Sequence, residues 1–172
     1  MNSYTFLLNF ILPDRAADPE QYLDALYEAG CDDAVVGIGQ RGMIGLDFTR
    51  AAVSAEDALR SAIDNVRAAI PGAPLVQAGQ DLVGLTQMAE IFGFSRQNMR
   101  KYATGQSGAP EAFPSPVVFG EPSLWHLAEI VAWLKLNTTV QAPDNVLEVS
   151  KAAAKLNFEV ERKRHRKILH LS

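Results

Sequence analysis

The sequence predicts an α+β protein with a strand-rich first half and a helical second half. In residues 1–80, runs rich in β-branched and aromatic side chains alternate with segments whose apolar residues recur at helical spacing. From residue 85 onward the helical spacing dominates. With 172 residues, 48% of them hydrophobic and 21% charged, the chain is long enough for two small globular domains.

Four strands are predicted in the first half, with two helices between them. The strand segments are the β-rich runs 4–12, 34–38, 43–49 and 75–78. The first is nearly continuous in apolar residues and therefore predicts a buried strand. The order βαββαβ is that of the ferredoxin-like arrangement. We expect residues 1–80 to form a ferredoxin-like domain for oligomerisation, sensing or partner binding.

Start and stop signals delimit the two predicted helices. Asp18 as N-cap and Pro19 at the first position open the first helix, and Gly30 ends it. The second helix follows Ser54 and runs to about Ile70. Ser54 and Asp57 have the spacing of a capping box. The apolar face of the first helix is predicted to comprise Tyr22, Leu23, Leu26 and Tyr27.

The first half contains no pattern that indicates catalysis or metal binding. The stretch "GIGQRG" (37–42) joins two predicted strands, so a hairpin is favoured over a phosphate loop, which needs a following helix. Asp32 and Asp33 are expected in a solvated turn rather than as an acid–base pair. Cys31 is expected to be a small buried residue. A single cysteine excludes an internal disulfide and fits a reducing cytoplasm.

Charge is unevenly distributed along the chain. Residues 1–80 carry eleven acidic and five basic side chains, whereas residues 81–172 carry nine and eleven. An anionic partner is therefore expected to meet the second half, and the asymmetry favours two domains. Neither a secretory leader nor an apolar run of about 20 residues is present, so we expect a cytoplasmic protein without a membrane partner.

The stretch "LTQMAEIFGFSRQNMRKY" (85–102) predicts two short helices joined by a tight turn. Thr86 is the expected cap of the first helix, Gly93 the stop, and Ser95 the cap of the second. In the second helix Met99 and Tyr102 are predicted to face inward. The opposite side carries three cations and one amide, which suit phosphates and base edges. These residues are Arg96, Gln97, Arg100 and Lys101.

Residues 82–136 resemble the winged helix-turn-helix domains of the excisionase and MerR-like type. The two helices supply the first part of the match, and "FPSPVVFGEPSLWHLAEIVAWLKL" (113–136) is similar to the wing and third helix of that family. The third helix has an apolar face at Leu127, Ile130, Val131 and Leu134. The match rests on Phe113, Pro114, Pro116, Trp125, Val131, Ala132, Trp133 and Leu134.

The resemblance implies a DNA-binding domain over residues 81–138. Arg96, Gln97 and Arg100 would face the major groove, with Asn98 at the edge of that face. Contacts to phosphates would come from Thr86, Ser95 and Lys101. The wing tip carries Glu121 and no arginine, so the cationic surface comes mainly from the helix 95–102. A helical hairpin without a DNA role is the alternative.

The tail, residues 142–172, predicts a long helix that starts near Asp144. An apolar stripe is expected to bind a partner or a second copy, and it consists of Val149, Ala152, Ala153, Leu156 and Val160. The basic end of the helix is either a second nucleic-acid contact, a membrane-surface patch or a solvated helix end, and we favour the first. Its proposed DNA-binding cations are Arg162, Lys163, Arg164 and Arg166.

Together these features predict a sequence-specific transcriptional regulator of bacterial or phage type that binds double-stranded DNA as a homodimer or higher oligomer. The alternative is an antitoxin or adaptor that masks a partner such as a toxin, with DNA binding secondary. An enzyme is the third hypothesis, and His126, His165 and His170 have no companions at catalytic spacing. We expect no catalytic residue, metal or cofactor.

Overall fold

The computed structural model describes residues 1–171, which form two compact units. Unit 1 combines Met1–Gly79 with the chain from Ala152 onward, and unit 2 comprises Gln80–Lys151. Six α-helices and a four-stranded antiparallel sheet are present in the described part of the chain. The predicted α+β class is therefore confirmed.

Unit 1 is built on the four-stranded sheet. Its strands are β1 (Asn2–Ile11), β2 (Ala34–Gly37), β3 (Met43–Ala52) and β4 (Leu75–Ala78). Their order across the sheet is β2-β3-β1-β4, and all neighbours are antiparallel. The two long strands, β1 and β3, therefore lie at the centre, and the two short ones form the edges.

The core of unit 1 lies on one face of the sheet. Along β1 the side chains of Tyr4, Phe6, Leu8 and Phe10 are buried while their neighbours in sequence are more exposed. The buried strand expected at 4–12 is thus buried on one face only, because an antiparallel sheet is covered here on a single side. That cover is α2 (Ala55–Ala69), whose buried residues include Leu59, Ile63 and Val66.

The first helical segment differs from the prediction in its geometry. A 3₁₀ turn at Pro19–Tyr22, capped by the Asp18 carboxylate, precedes α1 (Leu23–Glu28). The tighter winding of the 3₁₀ turn rotates the face that follows it. Of the four residues expected to face inward, only Leu26 is buried; Tyr22 is half-buried, and Leu23 and Tyr27 are exposed.

The carboxylate of Asp33 is paired rather than solvated as the sequence suggested. It accepts hydrogen bonds from Arg50 Nε at 2.7 Å and Nη2 at 2.9 Å. Arg50 is buried, and its guanidinium lies over the Phe48 ring, 4.9 Å from the centroid. The pair joins the start of β2 to β3, a link between positions 17 residues apart that local patterns do not reveal.

Unit 2 is mainly helical. It contains α3 (Leu85–Phe92), α4 (Arg96–Ala103) and α5 (Leu127–Asn137). Two short strands, β5 (Leu82–Val83) and β6 (Trp125–His126), pair antiparallel at its base. The apolar face predicted for the third helix is confirmed, because all four of its residues are buried: Leu127, Ile130, Val131 and Leu134.

The tail forms a single long helix, α6 (Val146–Ile168). The helix belongs to unit 2 as far as Lys151 and to unit 1 from Ala152 onward. The apolar stripe expected to bind a partner is largely buried within the chain itself, at Val149, Ala152, Ala153 and Leu156. In unit 1, the side-chain amide of Asn157 pairs with the backbone N–H and carbonyl of Ala78, at 2.8 and 2.9 Å. This side chain thereby satisfies the backbone N–H and carbonyl of Ala78 at the end of the edge strand β4.

The charge asymmetry of the two sequence halves does not carry over to the two units. Unit 2 contains seven acidic and five basic side chains, and unit 1 contains thirteen and eleven. Each unit has a net charge of −2, because the basic tail belongs to unit 1. The excess of positive charge in the second half of the sequence is therefore not a property of unit 2.

Candidate nucleic-acid interface

The helices α3 and α4 form a tight hairpin. Gly93 ends α3 in the left-handed conformation, with φ +71°, and the N–H of Phe94 donates to the carbonyl of Ala89 at 2.8 Å. The hydroxyl of Ser95 then accepts from the N–H of Asn98 at 3.1 Å and caps α4. These three residues form the turn between α3 and α4.

The predicted cap of α3 is wrong. The N-cap position is occupied by Gly84, whose N–H donates to the side-chain oxygen of Gln87 at 3.0 Å. Thr86 lies inside the first turn of the helix and is exposed. Glycine and threonine are about equally common at N-caps, so residue type alone does not distinguish Gly84 from Thr86.

One side of α4 packs into the core of unit 2. Met99 is fully buried, and the Tyr102 ring lies edge-on to Trp133 with centroids 5.6 Å apart. Phe94 fills the space beside Tyr102 at 6.1 Å. The indole N–H of Trp133 is buried and has no hydrogen-bond partner among the described residues. Both inward residues predicted for this helix therefore contact the core.

The opposite side of α4 is a cationic surface. Arg96, Gln97, Arg100 and Lys101 are exposed and, with Thr104 and Gln106, line one shallow groove. Within the part of the chain that the structure describes, no carboxylate lies within 4.0 Å of the three cations. We call these six residues the α4 groove. Its charges are available to an anionic ligand.

The remaining predicted residues of this hairpin do not line the groove. Ser95 and Asn98 are exposed, and the Ser95 hydroxyl already accepts the capping hydrogen bond. Thr86 belongs to the exposed first turn of α3. A capped helix N-terminus still offers backbone N–H groups to a phosphate, so these positions suit backbone contacts more than base contacts.

A short hairpin precedes α5. Val118 and Leu124 form an antiparallel bridge, and the Trp125 indole N–H donates to the carbonyl of Pro114 at 2.9 Å. The Phe113 ring lies edge-on to both Trp125 and Trp133, at 6.2 and 5.0 Å. The "FPSP" segment is thus fixed to the core by aromatic contacts. At the tip, Phe119 is 81% exposed.

One polar contact at the base of this hairpin was not predicted from the sequence. The Nδ1 atom of His126 lies 2.6 Å from an Asp81 carboxylate oxygen, and Asp81 is buried. The backbone carbonyl of Asp81 also accepts from the N–H of Leu127. The pair fixes β5 to the start of α5. Its members are 45 residues apart, so no local spacing could have indicated it.

The predicted cations of the tail lie in the other unit. Arg162, Lys163, Arg164 and Arg166 belong to the exposed end of α6, in unit 1. Arg164 is paired with Glu161, with an N–O distance of 3.1 Å. The structure therefore brings the α4 groove residues together as one set and the tail cations as a second set.

Comparison with family models, with curated proteins and with solved structures found no match to the chain. Among residues 1–171, no three His, Cys, Asp or Glu side chains are grouped so that they could hold a metal ion. None of the helices in that range is both long and apolar enough to cross a bilayer.

Proposed function

We propose that this protein is a sequence-specific, DNA-binding transcriptional regulator of the cytoplasm that places α4 in the major groove. The observation that carries the proposal is the α4 groove, where three cations and polar side chains share one exposed face of a helix anchored by Met99. Arginine and glutamine at such positions can pair with guanine and adenine edges. Lysine and the capped N-terminus suit phosphates.

The proposal includes a fold assignment for each unit. The hairpin of α3 and α4, the bridge between Val118 and Leu124 and the following α5 support a winged helix-turn-helix domain of the excisionase or MerR-like type. The strand order β2-β3-β1-β4 supports a ferredoxin-like arrangement in unit 1.

Two copies of the protein would make enough contacts to DNA for specific binding. An α4 of eight residues offers few contacts, and many readers of this class bind two half-sites about one helical turn apart. We therefore propose a homodimer or higher oligomer on a palindromic site. Arg162, Lys163, Arg164 and Arg166 would add sequence-independent contacts to nucleic acid.

The decisive experiment is selection from a pool of random duplexes, at low and high salt, for the wild type and an Arg96→Ala/Arg100→Ala variant. We expect the wild type to enrich a palindrome and the variant to lose it. Each arginine that contacts a base should contribute about 1–3 kcal/mol and specificity at its own position. Lys135→Ala, at an exposed position of α5, is the matched control and should enrich the same sequence.

Two results would contradict the proposal. The wild type could enrich no sequence at either salt concentration, or the double variant could enrich the same palindrome with unchanged affinity. Circular dichroism of the variants checks that α4 is still folded, because both arginines are exposed and contribute no core packing.

An antitoxin or adaptor is the second candidate, and the exposed apolar hairpin tip favours it. Val117, Val118 and Phe119 are all exposed beside Glu121, a composition suited to a protein surface rather than a phosphate backbone. Such a protein would retain a co-purified partner through high salt, and Phe119→Ser would release it. A regulator that acts through the α4 groove alone would show neither effect.

A further inference from the structure

The end of α6 is a helix without a buried face. From Glu161 to Leu171 every residue is exposed, although the helix continues to Ile168. The segment 161–167 contains five Lys or Arg side chains and one Glu. Cations in a last helical turn are stabilised by the helix dipole, so this charge is compatible with the helix. We call residues 158–167 the C-terminal arm.

The acidic side chains of the arm are already paired within unit 1. Glu159 contacts Arg60 at 3.4 Å, and Glu161 contacts Arg164 at 3.1 Å. Arg162 and Arg166 have no carboxylate within 4.0 Å among residues 1–171. These two arginines are one helical turn apart, so they can contact neighbouring phosphates of one strand.

Phe158 lies one turn before Arg162 on the same side of the helix. The residue is 67% exposed, so most of its surface is not used for packing. Positions i, i+4 and i+8 of a helix are neighbours along one face, which places this ring in line with Arg162 and Arg166. Bases in a duplex stack on each other, whereas unpaired bases stack on aromatic side chains beside a cationic track.

We propose that Phe158, Arg162 and Arg166 form a binding surface for single-stranded nucleic acid, with a base stacked on Phe158 and phosphates at the two arginines. This activity goes beyond duplex reading by α4 and does not depend on it. An anionic membrane fits the arm less well, because the apolar side chains stop at Val160 and resume only at Ile168.

The test is fluorescence anisotropy with labelled oligothymidylate of about 15 nucleotides, which cannot pair with itself and spans one aromatic binding track. Phe158→Ala is compared with the wild type, and Tyr27→Ala is the matched control, since Tyr27 is 70% exposed on another helix of unit 1. Phe158→Trp restores a stacking surface. A non-specific duplex and phosphatidylglycerol vesicles are measured in parallel.

We expect Phe158→Ala to weaken oligothymidylate binding by at least about fivefold, the lower range for loss of one stacked base. Tyr27→Ala should bind like the wild type, and Phe158→Trp should retain binding with quenched indole fluorescence. Duplex affinity should be the same for Phe158→Ala and the wild type. Arg162→Gln/Arg166→Gln should weaken binding and flatten its salt dependence.

Three results would overturn the inference: equal oligothymidylate binding by Phe158→Ala and the wild type, an equal loss of duplex and oligothymidylate affinity in Phe158→Ala, or Phe158-dependent binding to vesicles alone. The Arg96→Ala/Arg100→Ala variant separates this inference from the proposed function. Loss of duplex selection with intact oligothymidylate binding in that variant supports both activities. Absence of selection in the wild type leaves the single-strand result unaffected.

Discussion

Arg50 connects three parts of unit 1 from a single buried position. Its guanidinium forms two hydrogen bonds to the Asp33 carboxylate and one to the carbonyl of Gly30, and it lies 3.3 Å from the Ser61 hydroxyl. The hydrogen bonds to Asp33 raise the pKa of Arg50 above its ordinary value. A buried charge of this kind is tolerated because its donors are satisfied.

Removing this cation should destabilise unit 1. Arg50→Met should lower the free energy of unfolding by about 2–3 kcal/mol. This loss is no larger than the smallest losses seen when one partner of a fully buried ion pair is removed, because the unpaired carboxylate of Asp33 can rehydrate in part. The Asp33 side chain is 28% exposed. Urea unfolding measures the effect, and Arg15→Met, at an exposed position, is the control. Equal unfolding midpoints for the two variants would contradict this role.

Cys31 should be unreactive in the folded protein. Burial raises the pKa of its thiol from 9.0 to about 11; Arg50 opposes this shift, and the carboxylates of Asp33 and Asp32 add to it. At about pH 8, iodoacetamide should therefore alkylate the folded protein at least a hundredfold more slowly than the chain in urea, since only the thiolate reacts. Mass spectrometry follows the reaction, and equal rates in the two states would refute the prediction.

The raised pKa of the Cys31 thiol also makes the stability of the folded protein depend on pH. The unfolded chain loses the thiol proton near pH 9.0, whereas the folded protein keeps it up to about pH 11. The contribution of this thiol is therefore fully present below pH 9.0 and is lost as the pH rises toward 11. Cys31→Ser should show a shallower loss of stability across that window.

At the scale of elements, the turn between α3 and α4 depends on one backbone conformation. Gly93 has φ +71°, and a Cβ added there would meet no atom within 4 Å. The cost of a side chain is therefore conformational alone. Gly93→Ala should destabilise unit 2 by about 1–2 kcal/mol, and Gly93→Asn by less, because asparagine tolerates the left-handed region.

The control for this prediction is Gly39→Ala. Gly39 also has open space around its Cα, but its φ is outside the left-handed region. Thermal unfolding should therefore distinguish the two alanine variants. If both behave alike, or if Asn at position 93 is as harmful as Ala, conformational strain at the turn is not the cause.

Other elements show where local patterns were sufficient. The caps Ser54 and Ser95 were predicted from spacing and both form the expected hydrogen bond to a backbone N–H. Such caps involve residues three positions apart, so the sequence contains the whole interaction. The predicted inward face of α1 was wrong because a 3₁₀ turn precedes the helix. The predicted cap of α3 was wrong because glycine and threonine are about equally common at N-caps.

At the scale of the whole molecule, the distribution of charge decides how an anionic ligand would be attracted. Both units have a net charge of −2, so the attraction must come from local surfaces rather than from a basic domain. The α4 groove provides three cations in unit 2 and the C-terminal arm a second set in unit 1. Nucleic-acid affinity should therefore depend strongly on salt.

The salt dependence can be tested with one lysine. Lys101→Ala should weaken binding to all duplexes similarly and lower the slope of log affinity against log salt by about 1, as expected for one phosphate contact. Lys135→Ala should leave the slope unchanged. A slope insensitive to Lys101 would mean that this side of α4 does not contact the phosphates.

Local sequence patterns determined the α+β fold class, the strands of unit 1, the hairpin of α3 and α4 and the cationic face of α4. All of these depend on residues within a few positions of each other, where propensity and capping act directly. The pairing of Arg50 with Asp33, the Asp81–His126 contact and the assignment of the tail to unit 1 depend on residues 17 to 79 positions apart. Such contacts form only when the chain folds back on itself. For the same reason, the stripe from Val149 to Val160 was expected to bind a partner, but all of its residues except the half-buried Val160 are buried within the chain itself.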